Sequence, residues 1–423
     1  MRIPNRFTPD QQPTRGIALC LSGGGFRAAL FHLGALRRLN ELGILHRVDT
    51  ITSISGGSTI AAFLAYREMI WNKPGGCTTD EWEREISAPF RKFTSRNFST
   101  PSVLWGYLRP WSNAGLNSFA RACRRELYPA DQPLPHTPNF QFCATELVNG
   151  VPCVFDRTNI GGPDVENVGK AVAISSAFPL IFWPYRRNRP FARFVDGGVA
   201  DNRGIEPVWR THDTLLVSDG GDVLRPGWSQ ALTWALERSA AVIISQMNEM
   251  QKRWLVTLWQ AKQRDGTFWS VGGAADNYPH DPVVHPTGYA ADVALQCIAP
   301  IRLKYDAFTD AEAAILENHG YTLADMAVRT HARQLLPPHP QPLGVPRPHW
   351  LDNRLAREAL RNSDSSSLGG HGWIRACMRA IWRNVSGQTG GDASRITSPP
   401  PVTGAAVRTS DENQPERSGS ART

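Results

Sequence analysis

Twice before Tyr66 the chain repeats one construction, in which a short apolar run breaks on small residues and restarts at helical spacing. Ile17 to Ser22 (IALCLS) ends on Gly23-Gly24-Gly25. Ala29, Leu30, Leu33, Leu36, Leu39 and Leu42 then recur three or four residues apart until Gly43, a natural C-terminal cap. Val48 to Ile54 alternates apolar and polar residues as a strand does, and Gly56-Gly57 leads into a small-residue helix, Ser58 to Tyr66. Successive strand, turn and helix units favour an α/β fold around a mostly parallel sheet.

The same scheme continues downstream. Asn139 to Leu147 and Val151 to Arg157 flank an Asn149-Gly150 pair, the signature of a tight hairpin. Gly169 to Ala177 reads as a helix up to Pro179, and two further apolar runs end on Asp196-Gly197-Gly198 and Asp219-Gly220-Gly221. Thr309 to Glu312 has the spacing of a capping box, and the helix it opens is expected to stop at Asn318-His319-Gly320, with His319 capping it. Residues 1–13 form an N-terminal extension and 14–336 the main domain. The prolines of 337–350 mark a semi-rigid linker, 351–384 a helical segment, and 385–423, rich in Gly, Ser, Thr and Pro, a disordered tail.

Composition narrows the setting. A 41% hydrophobic fraction in 423 residues supports a substantial core. No apolar run reaches the length of a membrane span, and Met1 to Arg15 lacks the pattern of a signal peptide. Seven cysteines without a C-x-x-C pair point to a reducing, cytoplasmic setting without a zinc site. Of the 46 basic residues only six are lysines, and the arginine fork suits phosphate as found in lipid headgroups or nucleic acid.

Two places carry candidate chemistry. Glycines between a strand and a helix N-terminus let backbone amides converge on an anion, which serves either phosphate binding or oxyanion stabilisation. Gly23-x-Gly25-x-x-Ala28 satisfies the loose dinucleotide pattern, yet the second strand ends on Ser53-Ile54-Ser55-Gly56-Gly57 rather than on the acidic residue that pattern requires. A serine in the arrangement small-x-Ser-x-Gly between strand and helix is that of a nucleophile elbow, with Ser53 standing where glycine is usual.

Gly23 to Ala28, Ser53 to Gly57, Ala173 to Pro179 leading to Phe182 and Pro184, and Asp196-Gly197-Gly198 together resemble, in order, the motif set of the patatin-like phospholipases. The resemblance implies a three-layer patatin-like α/β fold and a Ser-Asp dyad of Ser55 and Asp196. It also implies an oxyanion hole from Gly23, Gly24, Gly25 and Gly56, and hydrolysis of lipid acyl esters of the phospholipase A or lysophospholipase type without metal or cofactor. Arg27 then either steadies the glycine loop or meets a lipid phosphate. The expected partners are an acyl-lipid substrate and, peripherally, a membrane surface, with no nucleic acid.

Two alternatives stand beside this reading. One is a regulated membrane-damaging effector, with Phe268 to Pro300 or the tail receiving a signal. The other is a conventional Ser-His-Asp esterase, using Asp196 or Asp219 with His212, His280, His285 or His319; His32 is expected to be structural. Trp373 to Asn384 places Arg375, Arg379 and Arg383 on one face, as either an interfacial helix or one docked on the domain. The aromatic stretch Leu104 to Trp111 suits a lid or buried packing equally.

Overall fold

Period-2 alternation along the first strand divides the interior into two layers. In β1 (Thr14–Leu21), Ile17, Leu19 and Leu21 join one large cluster while Ala18 and Cys20 join a smaller one on the opposite face. The structure, a computed structural model, describes residues 14–73, 75–98, 112–128, 132–162, 165–179, 182–188, 191–221, 232–278, 287–361 and 363. All of these lie in the first of two contact units, Met1–Ile374; the second, Arg375–Thr423, falls outside them.

The sheet has eight strands: β1, β2 (Thr50–Ser53), β3 (Asn139–Glu146), β4 (Val151–Phe155), β5 (Tyr185–Asn188), β6 (Phe191–Asp196), β7 (His212–Asp219) and β8 (Asp265–Ser270). Its order is β5-β6-β3-β2-β1-β7-β8, with β4 pairing to β3 off this path. β3, β2, β1, β7 and β8 run parallel, whereas β4, β6 and β5 pair antiparallel. Residues 144–146 of β3 pair with β4 and with β6, and Phe142 pairs with β4 and with Ser53 of β2. A strand has two edges, so β2 and β6 share one. They approach from opposite directions, and the end of β2 at Ser53 faces the end of β6 at Asp196.

Helices cover both faces. On the larger cluster lie α1 (Gly25–Glu41), α2 (Gly56–Ala65), α3 (Ala114–Glu126) and α4 (Val168–Ser175). α5 (Leu232–Gln260) contributes Leu255 to the smaller cluster, and α6 (Asp310–His331) packs along α1. Helix α1 is buried from Gly25 through Asn40, its polar residues Arg27, His32, Arg37, Arg38 and Asn40 included.

Two expectations need correction here. The capping box of Thr309 and Glu312 is present, but α6 continues through Gly320 to His331. Gly320 is the place where α6 crosses α1: a Cβ there would fall on the Phe31 carbonyl oxygen, and one on Gly34 would fall on that of Glu317. Backbone contact between two helices, rather than a helix end, is what this glycine provides. His319 caps nothing and is buried, with Nε2 3.0 Å from the Val271 carbonyl oxygen.

Residues 337–350, expected to be a linker, run along the domain as a strap. Arg38 donates to the carbonyls of Gln341 (2.8 Å) and Pro342 (3.2 Å), and Asn318 exchanges hydrogen bonds with the Arg347 backbone at 2.7 and 2.9 Å. Prolines remove donors from this segment, and its free carbonyls are taken up by neighbouring side chains. α7 (Asn353–Leu360) follows and buries Ala356 and Leu360. Leu104 to Trp111, His280, His285, Trp373 to Asn384 and the tail 385–423 lie outside the described residues.

Because α1 and α6 touch backbone to backbone, Gly320→Ala should cost about 1–3 kcal/mol of stability by overpacking. Gly344→Ala, where the nearest atom is the Tyr321 hydroxyl at 4.0 Å, should be nearly neutral. Urea unfolding of both variants decides; equal losses would remove the helix crossing as the reason for glycine.

Candidate active site

At the end of β2 the backbone leaves the sheet through Ser55, which holds φ 51° and ψ −117° before α2 begins at Gly56. Only Ser55 and Lys262 among the described non-glycine residues have positive φ. Such a conformation costs about 1–3 kcal/mol and persists only where neighbours enforce it. Here the Ser55 amide donates to Ser175 Oγ (3.0 Å), whose hydroxyl donates to the Cys143 carbonyl at 2.7 Å. Ser53, at the position where glycine is usual, fits without a clash: its hydroxyl donates to the Gln141 carbonyl and accepts from Ser58, both at 3.2 Å. A Cβ on Gly56 would land on the Gly25 carbonyl oxygen, and one on Gly57 within 2.5 Å of that of Leu21, so the elbow is pressed against the glycine loop.

That loop adopts φ +143° at Gly24 and +58° at Gly25, the second against the Leu303 carbonyl. The amides of Gly24, Gly25 and Gly56 have no acceptor among the hydrogen bonds of the described residues, and they lie at the N-termini of α1 and α2. Gly23 departs from expectation: its amide donates to the Asn202 carbonyl at 3.1 Å and so is not free to meet an oxyanion, although the residue lines the same cleft.

Arg27 is buried behind the loop. Its guanidinium reaches the carbonyls of Ile301 (2.9 Å), Gly220 (3.1 Å), Gly221 (2.6 Å) and Ala299, which ties the start of α1 and the turn after β7 to the 299–301 segment. The side chain is only 1% exposed and does not line the cleft.

Asp196 lies opposite, where β6 meets the end of β2. It lines the same cleft as Ser55 and Gly23 to Gly25, and its Oδ1 accepts from the Gly198 amide at 2.8 Å. Burial pushes its pKa up to about 7, opposed by the Gly198 amide and by the nearby Ser55 hydroxyl. The second Asp-Gly-Gly turn meets a different fate. Asp219 is also buried, which would raise it, but Arg203 at 2.8 Å and the Gly221 amide hold it below the usual carboxylate range. An aspartate committed to an arginine is a poor proton acceptor.

No histidine among the described residues lines the cleft. His32 bridges Ser218 Oγ (2.7 Å) and the Ser22 carbonyl (3.0 Å), and burial pushes it down to about 4. His212 sits at the other end of β7, between the hydroxyls of Thr211 and Thr50. Among the described residues no group of three His, Cys, Asp or Glu is arranged to hold a metal.

Sequence reasoning missed two residues here. Ser175 lies inside a quoted motif but had no role, and it buttresses the elbow. Tyr305 gave no signal at all: its hydroxyl is 3.2 Å from Ser55 Oγ and donates to Ser176 Oγ at 2.9 Å. Phe178, Phe182, Ile244 and Leu303 make much of the remaining cleft wall apolar. Chemically, the arrangement offers a serine hydroxyl on a strained backbone and a carboxyl raised toward neutrality in one largely apolar cleft, with the amides of Gly24, Gly25 and nearby Gly56 unpaired among the described residues.

Residues 19–209 match the family model described as "Patatin-like phospholipase". No curated protein matches the chain. Among solved structures it is similar to VipD from Legionella pneumophila, with TM-score 0.32 and 13% identity over 76% of this chain and 68% of that one. It is also similar to human GIVD cytosolic phospholipase A2, with TM-score 0.42 and 13% identity over 82% of this chain and 63% of that one. The same human protein in complex with methyl gamma-linolenyl fluorophosphonate inhibitor and terbium chloride gives TM-score 0.42 and 14% identity over 84% and 61%. The chain thus spans less than two thirds of the human protein's length.

The raised pKa of Asp196 has a consequence for stability. Unfolded, an aspartate titrates near 3.9, so between about pH 4 and 7 the folded state holds a proton that the unfolded state has lost. Stability therefore falls as pH rises through that window, and above it the burial penalty is fully present. Asp196→Asn, which keeps an acceptor for the Gly198 amide, should be more stable than wild type by a few kcal/mol at pH 8, on the order of 2–4. At pH 4 the gain should be small. A gap that urea unfolding shows to be independent of pH would mean the carboxyl is not shifted.

Proposed function

We propose, on the premise that residues 19–209 are a patatin-like phospholipase domain, that the protein hydrolyses acyl esters of phospholipids or lysophospholipids at a membrane surface. Ser55 is the nucleophile and Asp196 the base. The observation that carries this reading is the shared cleft, in which a serine at positive φ stands beside a buried carboxyl raised to about 7.

Ser55 Oγ forms a bond to the acyl carbon as its proton passes to Asp196, and the carbonyl π pair moves onto the oxygen. The amides of Gly24, Gly25 and Gly56 receive that oxyanion. Collapse breaks the acyl–alkoxy bond, and the leaving alcohol takes the proton from Asp196. Water then attacks the acyl-serine; Asp196 accepts its proton and returns one to Ser55 Oγ. The cycle balances with no cofactor. An ordinary aspartate is a weak base at neutral pH, and burial is what brings this one near the working range.

The apolar walls of Phe178, Phe182, Ile244 and Leu303 suit an acyl chain. Among the described residues no helix is long and apolar enough to cross a membrane, so contact with the bilayer is proposed as peripheral.

With a soluble ester and with phospholipid vesicles, Ser55→Ala and Asp196→Asn should each lower kcat by roughly 10³-fold or more, as loss of a triad member does in other serine hydrolases. Folded His32→Ala, His212→Ala and His319→Ala proteins should keep most activity. The kcat/KM profile should rise through a single ionisation near pH 7. A folded histidine variant as inactive as Ser55→Ala would overturn the dyad.

A further inference from the structure

We infer that Tyr305 is a positioning residue for Ser55, a two-position hydroxyl switch that determines which acceptor holds the serine proton. The inference rests on the hydrolase reading above and extends the reacting cluster beyond the family-matched segment, which ends at residue 209.

Tyr305 has a single hydroxyl proton and lies within hydrogen-bond distance of Ser55 Oγ at 3.2 Å and Ser176 Oγ at 2.9 Å, with the Thr59 side chain also beside its hydroxyl. With its proton on Ser176, Tyr305 can only accept from Ser55. Ser55 also has one proton, and Asp196 is the carboxyl that lines the same cleft beside it. Ser55 therefore either donates to Tyr305, a resting arrangement, or donates to Asp196. In the second case a turn of the phenol O–H brings the tyrosine proton to Ser55 Oγ, where it stabilises the charge that grows as the serine proton departs. A phenol proton lies near the ring plane and has two preferred positions, so the switch requires no movement of heavy atoms.

The ring is fixed for this task. It packs edge-on against Phe26 (5.1 Å between centroids) and against Phe119 (4.7 Å). The Tyr305 carbonyl accepts from Phe98 (2.8 Å), and the preceding Lys304 carbonyl accepts from Phe26 at the start of α1 (3.1 Å). Three residues earlier, Arg302 is anchored to Asp306 at 2.9 Å and to Glu312 of the α6 capping box at 2.5 Å. Burial pushes the phenol pKa up, so Tyr305 acts as a neutral hydroxyl and not as a tyrosinate base. No charged side chain is among the causes of the Asp196 shift.

Tyr305→Phe keeps the ring packing and removes only the hydroxyl. We expect kcat to fall about 10- to 100-fold with KM within about twofold. In the free variant the Ser55 proton has only Asp196 left to bond, which favours the carboxylate, so the acid limb of kcat/KM should move to lower pH. Two readings do not depend on turnover. Labelling of Ser55 by a fluorophosphonate, which forms an O–P bond and expels fluoride, should slow at saturating probe. The Asp196 carboxyl, followed by ¹³C NMR, should titrate lower than in wild type. Wild-type labelling rates with an unmoved Asp196 titration would overturn the switch, as would a loss of activity that only tracks lowered thermal stability. If Ser55→Ala retained wild-type hydrolysis, the hydrolase reading itself would fall and this inference with it.

Discussion

The close approach of two turns, one from each of two adjacent parallel strands, is the constraint on which the rest of the site depends. β1 and β2 pair in register from Ala18 and Thr50 to Leu21 and Ser53, so their helices must start side by side. Neighbouring strands stand about 4.8 Å apart, which leaves no room for a side chain between the turns. Gly56 therefore meets the Gly25 backbone directly, and Gly57 meets the Leu21 carbonyl. The same compression brings the free amides of Gly25 and Gly56 to one place and forces Ser55 into positive φ. An anion-binding corner and a serine held in a strained backbone conformation thus have one geometric cause.

The carboxyl arrives by a different route. β6 is antiparallel to β3 and shares an edge with β2, so Asp196 reaches Ser55 from across the sheet although 141 residues separate them in sequence. Its environment then sets its chemistry. Asp196 and Asp219 both end a strand, both precede two glycines and both are buried; only Asp219 has an arginine. One guanidinium separates a carboxylate locked in its charged form from one that titrates near neutrality. In this fold Arg203, and not the Asp-Gly-Gly pattern that the two turns share, is what sets the two carboxyls apart.

What the sequence made legible follows from how local each cause is. Glycine at a strand–helix junction, small residues around a serine, an Asn-Gly turn and a Thr-x-x-Glu cap act within a few residues, and the corresponding elements appear at Gly23 to Gly25, Ser55, Asn149-Gly150 and Thr309 to Glu312. Contacts between distant segments left no such trace. Gly320 has the composition of a helix stop, yet its reason is the α1 backbone; the prolines of the strap look like a linker until Arg38 and Asn318 are seen to hold their carbonyls. Nor could composition show which glycine amide was already engaged. Gly23 is distinguished from Gly24 and Gly25 by the Asn202 carbonyl, nearly 180 residues away. Tyr305 is a tertiary contact with no local pattern.

A site of this kind is destabilising in itself, and the fold around it explains why it persists. The turn at Ser55 stores about 1–3 kcal/mol of backbone strain, and burying Asp196 without a cationic partner adds an electrostatic penalty above neutral pH. Both residues sit at the ends of elements whose other ends are fixed independently. α2 is buried along its whole length, α1 is clamped to α6 by glycine contacts, and Arg27 binds the carbonyls behind the loop from 220 to 301. Relaxing Ser55 would mean separating α2 from the sheet, and hydrating Asp196 would mean opening the junction of β2 and β6. Either movement would expose buried apolar surface, which opposes relief of the strain.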